Sequence, residues 1–136
     1  MRFLSCCIAI AVICAALFPI APPNARADQP PSMTAVHCPH FTATPWKLRG
    51  SGGSGDSYGL SITNDKTSCA EATTWAKKLM AGGTPADAMV PIAANGPPGY
   101  KCYITPDGSG HALGGTCHKL DSSGKLIGSW DWLGVR

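Results

Sequence analysis

The clearest hydrophobic pattern in the chain predicts one amphipathic helix. Ser68 and Glu71 have the spacing of a capping box, in which the two side chains bond backbone amides at a helix start. Gly82 and Gly83 are typical of the residues that end a helix. The apolar residues between these ends share one stripe of a helical wheel, and they are Cys69, Ala72, Trp75, Ala76, Leu79 and Met80. The pattern therefore predicts a helix over residues 69–81.

An alternation with a period of two predicts strands on both sides of that helix. Tyr58, Leu60 and Ile62 alternate with small or polar residues, as in a half-buried strand. Other extended segments cover residues 37–48, 100–105, 111–120 and 125–132. Pro39 and Pro45 restrict the first of them to a sheet edge, or divide it. The predicted order is ββ-α-βββ, an α+β fold with about five antiparallel strands and one helix packed on the sheet.

A weaker pattern follows the predicted helix. Thr84 and Pro85 have the residue types of an N-cap and a first helical position. We expect a second, short helical segment here, which Pro91 would end.

The first 27 residues have the features of a secretory signal peptide. Arg2 precedes an uncharged apolar run over residues 4–21, and Ala25 and Ala27 are the small residues that a signal peptidase requires. We expect cleavage between Ala27 and Asp28. The run is short for a membrane span of about 20 residues, and prolines follow it. A polar, disordered tail over residues 28–36 and a single domain over residues 37–136 would then form the exported chain.

The cysteines predict a disulfide-stabilised domain. Four of them remain after cleavage, namely Cys38, Cys69, Cys102 and Cys117. An even number in a small exported chain favours two disulfides. Hairpins centred near residues 53–54 and 109–110 would bring together Cys38 with Cys69 and Cys102 with Cys117, which is our first choice. A pairing of Cys69 with Cys102 and of Cys38 with Cys117 remains the alternative.

Charge and glycine patterns exclude two classes of ligand. The sequence has 11 Lys and Arg residues and 8 Asp and Glu residues, and the signal peptide contains Arg2 and Arg26. No basic cluster exceeds a pair of lysines, so nucleic-acid binding is not expected. Gly50, Gly52 and Gly55 match the letters of a dinucleotide fingerprint, but a strand follows them where such a site needs a helix. We expect them to form a hairpin turn, and we expect no cofactor.

The histidines offer two further possibilities for chemistry. His37 and His40 are candidate ligands for copper or zinc, although their spacing with Cys38 matches no common metal motif. Asp107, Ser109 and His111 have the side chains of a hydrolytic triad, but they share one turn and a structural role there is the simpler reading.

The aromatic residues point first to a core and then to a surface. We expect Trp75 and one or two others to pack inside the domain, because a small core needs large side chains. Trp130 and Trp132 share one face of the last predicted strand, near the C-terminus. They are our candidate binding surface for a sugar ring or a partner protein.

The segments SCAEATTWAKKL, GPPGYKCYI and GGTCHKL together resemble a pattern found in small exported bacterial proteins of unknown function. The matching positions are Cys69, Ala72, Gly99, Tyr100, Cys102 and Cys117. The resemblance covers residues 58–120. It implies export and a disulfide-stabilised α/β core, and it implies no catalytic residues.

These observations favour a periplasmic or secreted domain that is not an enzyme and that binds a protein or another component of the cell envelope. A rival hypothesis is a small secreted hydrolase with a site built from His111, His118 and an aspartate. A weaker one is a periplasmic copper- or zinc-binding protein that uses His37 and His40.

Overall fold

The alternating segments form a six-stranded antiparallel sheet in the computed structural model, which describes residues 34–50 and 52–136. The elements are β1 (Ala35–Lys47), β2 (Ser54–Thr63), α1 (Cys69–Ala81), β3 (Ile92–Ala94), β4 (Tyr100–Pro106), β5 (Ala112–Leu120) and β6 (Leu126–Val135). The strands lie in the order β1-β2-β6-β5-β4-β3. The fold is α+β, as predicted, with β3 as an additional short strand.

The N-terminal boundary of the domain differs slightly from the prediction. Ala35 and Val36 were expected in a disordered tail, but they pair with Thr63 and Ile62 at the start of β1. The predicted signal peptide, its cleavage position and residues 28–33 of the predicted tail lie outside the described residues.

The helix has the predicted bounds. The Ser68 hydroxyl accepts a hydrogen bond of 3.2 Å from the backbone amide of Glu71, so this half of the capping box is present. The residues that α1 buries are Ala72, Ala76, Leu79 and Met80. Small alanines in the middle of this face let the helix approach the sheet closely.

The second predicted helical segment is not helical. The Thr84 amide donates to the Gly110 carbonyl oxygen at 2.9 Å, and its hydroxyl donates to the His111 carbonyl oxygen at 3.1 Å. Thr84 therefore binds the loop between β4 and β5 and does not cap a helix. The chain reaches β3 after this contact.

The sheet has a covered face, on which α1 packs, and an open face on its other side. The covered face contains the alternate residues Tyr58, Leu60, Ile62, Cys102, Ile104, Cys117, Trp130 and Trp132, which form one buried cluster with the helix. The intervening residues of β2 and β6, such as Ser61 and Asp131, belong to the open face. Fully buried aromatic rings make this core large for the size of the domain.

Glycines make room for the indole rings of the core. A Cβ atom at Gly115 would lie 2.4 Å from the Trp132 ring and 2.6 Å from the Tyr103 carbonyl oxygen. One at Gly134 would lie 2.5 Å from Nε1 of Trp46. The rings thus lie directly on the strand backbone at these positions.

Within residues 34–50 and 52–136 there are two disulfides, Cys38–Cys69 and Cys102–Cys117, which are the pairs of our first choice. The first joins β1 to the first residue of α1. The second joins directly paired residues of β4 and β5, whose Cα atoms are 4.1 Å apart. One disulfide therefore links the helix to the sheet, and the other lies within the sheet.

The glycine-rich segment forms the connection between β1 and β2. Gly50 and Gly52 have φ values of +74° and +66°, which favour glycine, and the Leu48 amide donates to the Gly53 carbonyl oxygen at 2.8 Å. Two antiparallel strands flank this loop, as expected for a turn.

The two outer strands of the sheet are interrupted or short. Among the described residues these are β1 and β3. Pro39 and Pro45 in β1 have no amide hydrogen, and the pairing of β1 with β2 shifts register twice. β3 has only 3 residues.

Candidate functional site

Trp130 and Trp132 do not form a binding surface. Their exposed fractions are 0% and 2%, because both rings lie on the covered face beneath α1. Their centroids are 5.3 Å apart, and neither indole nitrogen has a hydrogen-bond partner among the described residues. The prediction that they share a strand face is right, but that face is the core.

His111 and His118 do not share a site. His111 immediately precedes β5 and His118 lies near the other end of that strand. Seven residues of extended chain separate them by about 23 Å. The ring of His118 lies 6.4 Å from the ring of Tyr103, whereas Nδ1 of His111 lies 3.7 Å from Oδ2 of Asp107. The two histidines therefore do not form the shared site that the hydrolase hypothesis expects.

Asp107 organises the loop that contains Ser109 and His111. Its buried carboxylate accepts backbone hydrogen bonds from Ser109, Lys47 and His111 at 2.7, 2.9 and 3.1 Å. Burial by itself would raise the pKa of this carboxyl, but the hydrogen bonds that it accepts lower that pKa overall.

The order of side chains in this loop is not that of a triad. The Ser109 hydroxyl oxygen lies 2.9 Å from the Asp107 carboxylate and 3.2 Å from Nδ1 of His111, and this same Nδ1 is 3.7 Å from Asp107 Oδ2. In a triad the imidazole lies between the serine and the aspartate. The arrangement instead closes the loop between β4 and β5, as the simpler reading of the sequence proposed.

His37 and His40 line one cavity of about 200 Å³ on the open face, together with Ser61 and Asp131. His37, Ser61 and Asp131 are register neighbours across β1, β2 and β6. Nδ1 of His37 is 3.0 Å from the Ser61 hydroxyl oxygen. Partial burial raises the pKa of the Asp131 carboxyl, and the nearby His37 opposes this rise.

Among the described residues, no third metal ligand joins His37 and His40. Within residues 34–50 and 52–136, no group of three or more His, Cys, Asp or Glu residues is placed to hold a metal ion. All four cysteines of this region are in disulfides and are therefore not thiolate ligands. His37 and His40 remain two imidazoles at one cavity.

A third region combines exposed aromatic surface with ordered polar groups, and we call it the aromatic cleft. It encloses about 320 Å³ where the first two turns of α1 meet the ends of β4 and β5. The β2–α1 loop and the β3–β4 loop complete its walls. Its lining consists of Asp65, Lys66, Thr67, Glu71, Trp75, Pro97, Pro98, Tyr100 and Lys119.

A hydrogen-bond network fixes the floor of the aromatic cleft. The Tyr100 hydroxyl donates to Oδ2 of Asp65 at 2.6 Å and lies 2.8 Å from the Thr67 hydroxyl. The Thr67 amide donates to the other oxygen of Asp65 at 3.2 Å. One carboxylate thus orders both the tyrosine and the loop that leads into α1.

The network also sets the ionisation of its members. Burial would raise the pKa of Asp65, but the hydrogen bonds from Tyr100 and Thr67 lower it overall. Burial and the bond to Asp65 raise the pKa of Tyr100 to about 12. At neutral pH the cleft therefore presents an ionised carboxylate held by a neutral phenol.

Two aromatic rings stand at the cleft with partly exposed surfaces. Trp75 and Tyr100 are both half-buried. The ammonium group of Lys78 lies 4.4 Å from the Trp75 ring centroid, and that of Lys119 lies 5.4 Å from the Tyr100 ring centroid. Trp130 lies 6.4 Å from Tyr100 and supports it from the core. Rigid rings of this kind are the surfaces on which ligands stack.

The aromatic cleft was not predicted from the sequence. Trp75 was assigned to the core because it lies on the apolar stripe of the helix, and it packs only against the margin of the core. The segment from Asp65 to Ser68, with an aspartate just before a helix cap, and the Pro97–Pro98 pair were the available indications.

Two further findings concern membrane association and similarity to known proteins. In the part of the chain that the structure describes, no helix has the length and apolar character needed to cross a bilayer. Comparison with protein-family models, with curated proteins and with solved structures gave no match to this chain.

Proposed function

We propose that the protein is an exported, disulfide-stabilised domain that is not an enzyme and that binds a component of the cell envelope or its surroundings in the aromatic cleft. The observation that carries this proposal is the cleft itself. Two half-buried rings and an ordered carboxylate converge there from separate elements of the fold. Ligand sites typically combine apolar walls with a few fixed polar groups.

Three features support export. The N-terminal 27 residues have the pattern of a signal peptide, and disulfides persist in oxidising compartments. The resemblance to small exported bacterial proteins is in agreement with both. These features are found both in proteins of the periplasm and in proteins released from the cell.

In the aromatic cleft and in the Asp107 loop, the state of the carboxylates favours binding over catalysis. Asp65 and Asp107 are both held ionised by several hydrogen bonds, whereas a general acid or base needs a pKa near the working pH. His111 immediately precedes β5 and His118 lies near the other end of that strand, so the two histidines are far apart. We therefore propose that the ordered carboxylates position loops and ligands.

A retention experiment tests the proposal. The full-length chain with a C-terminal tag is expressed in a bacterium that exports it, and the exported protein is immobilised and exposed to solubilised envelope extract. We expect retention of a component by the unchanged protein and a loss of at least tenfold with Trp75→Ala. Tyr103→Ala is the matched control, because Tyr103 is a 37% exposed aromatic residue of β4 outside the cleft.

Two outcomes would contradict the proposal. One is that no component is retained by the unchanged protein, and the other is equal retention by Trp75→Ala. Circular dichroism and mass mapping of the two disulfides verify that the variants are folded. The N-terminus of the exported protein tests export separately, and we expect it to begin at Asp28.

A further inference from the structure

We infer that the ligand of the aromatic cleft is a neutral saccharide, an inference that rests on the proposed binding function. It follows from three properties of the cleft, which are its balance of charges, the orientation of its rings and the kind of hydrogen-bonding groups that it presents.

The charges of the cleft balance. Asp65 and Glu71 contribute two carboxylates, and Lys66 and Lys119 contribute two ammonium groups. A cation would meet the lysines and an anion would meet the carboxylates, so neither gains from the net potential. A neutral ligand avoids both repulsions.

The rings offer the apolar surface that a sugar ring matches. Lys119 lines the cleft and its ammonium covers one face of the Tyr100 ring at 5.4 Å from the centroid, so a sugar that stacks on this face takes the place of the ammonium. Trp75 stands on the helix side of the same cavity. The electron-rich face of an aromatic ring attracts positively polarised groups, and the C–H bonds on one side of a pyranose ring present such groups.

The polar groups of the cleft suit hydroxyls. Carboxylates accept hydrogen bonds and ammonium groups donate them, and a hydroxyl does both. Both kinds of group line the cleft, with Asp65 beside Lys66 in the chain and Glu71 about one turn before Trp75 on α1. The volume of about 320 Å³ is at the lower end of the usual range for small-ligand sites, so the cleft would hold one or two rings of a trisaccharide rather than an extended peptide.

Isothermal titration of the exported protein tests the inference. The probes are neutral trisaccharides of glucose, mannose, galactose and N-acetylglucosamine, with glucuronic acid, tetramethylammonium and a proline-rich peptide as competing classes. We expect at least one neutral trisaccharide to bind with a dissociation constant on the order of 10 μM to 1 mM, the range of modest small-ligand affinity. Its affinity should change less than twofold when salt is raised, because no net charge is recognised.

Variants locate the binding. Trp75→Ala should weaken the trisaccharide at least tenfold, and Tyr103→Ala should leave it unchanged. Because loss of Trp75 removes packing as well as a stacking surface, Glu71→Gln provides a second variant at an exposed position. It keeps a residue type found in capping boxes and should weaken binding severalfold with no change in the unfolding midpoint.

The outcomes separate this inference from the proposed function. If envelope material is retained through Trp75 but no neutral trisaccharide binds, the saccharide inference is overturned and the binding function stands. Tighter binding of the charged probes or of the peptide would also overturn the inference. If nothing is retained and nothing binds, both fall.

Discussion

The two faces of the sheet are built from the same strands but have opposite chemistry. On β2 and β6 the residues that face α1 include Tyr58 and Trp130, which are fully buried. Their neighbours Ser61 and Asp131 are on the open face, where Leu133 is 54% exposed. One helix therefore decides which set of alternate residues becomes the core.

The comparison also locates the candidate ligand site. The cavity on the open face lies toward the β1 edge of the sheet, has a volume of about 200 Å³ and is lined by His37, Ser61 and Asp131. The aromatic cleft has about 320 Å³ and lies at the margin of the covered face, where α1 begins. A margin combines the aromatic side chains of a core with access to solvent, which neither face offers alone.

The largest expected effect concerns the disulfide that fastens the helix to the covered face. Replacement of Cys38 and Cys69 by alanine opens a loop with a sequence separation of 31 and should lower the free energy of unfolding by about 4 kcal/mol. The same change at Cys102 and Cys117, with a separation of 15, should cost about 3 kcal/mol. Urea unfolding of both double variants measures the difference, and a larger loss for the second pair would contradict it.

Close packing on the covered face predicts the next effect. Gly115→Ala should destabilise the protein by about 3 kcal/mol, because the new methyl group meets both the Trp132 ring and the Tyr103 backbone. Gly82→Ala is the control, since its methyl group would have no contact nearer than 3.5 Å and its φ of −69° suits alanine. Thermal unfolding with circular dichroism compares them. Equal losses of stability in the two variants would contradict this prediction, because the Trp132 ring would then move aside without a cost in free energy.

Two tyrosines on opposite faces allow a smaller contrast. The Tyr58 hydroxyl oxygen lies 2.7 and 3.0 Å from the carbonyl oxygens of Thr44 and Ala112, which share its single proton. Tyr58→Phe should therefore cost about 1–2 kcal/mol, because buried acceptors lose their donor. Tyr103→Phe, on the open face, should change the free energy of unfolding by less than about 0.5 kcal/mol. Urea denaturation measures the free energy of unfolding of both variants, and equal losses would contradict this prediction.

The smallest effect concerns two aspartates with opposite pKa shifts. The pKa of Asp65 in the aromatic cleft is lowered from 3.8, so its contribution to stability is present above that pH and is lost as the pH falls through the lowered pKa. The pKa of Asp131 on the open face is raised, so its contribution is present below 3.8 and is lost as the pH rises through the raised pKa.

Replacement of each aspartate by asparagine, one at a time, tests these directions. Asp131→Asn should raise the unfolding midpoint at pH 7 relative to the unchanged protein and should have little effect near pH 3. Asp65→Asn should lower the midpoint at pH 7, and that loss should shrink in acid. The unfolding midpoints of all three proteins are measured from pH 3 to pH 7. If both variants shift the midpoint at pH 7 in the same direction, the opposite pKa shifts of the two aspartates are disproved.

Local patterns predicted the elements of this fold well. The helix bounds follow from Ser68, Glu71 and Gly82, because caps act on the backbone next to them. The Cys102–Cys117 disulfide follows from a hairpin in which the two residues pair directly. The β1–β2 hairpin instead places Cys38 opposite Leu60, and Cys69 reaches Cys38 from the start of α1, so the predicted pair is right but the predicted reason for it is not. β3 was missed because Ile92–Ala94 is too short to show an alternation.

Long-range placement could not be predicted in the same way. Alternation shows that Trp130 and Trp132 share a face, but only the position of α1 shows that this face is buried. The aromatic cleft brings Asp65, Trp75 and Tyr100 together from separate segments, and no spacing in the chain reports such a meeting. Sequence patterns therefore specify elements, and packing between them specifies the site.

The interrupted outer strands have a consequence for how copies of this protein meet. A second molecule that tried to extend the sheet beside β1 would find Pro39 and Pro45 in place of amide donors, and beside β3 it would find 3 residues to pair with. Growth of a fibril needs an unbroken ladder from each copy to the next. The outer strands are where another molecule could add to the sheet, and in this fold both of them oppose such polymerisation.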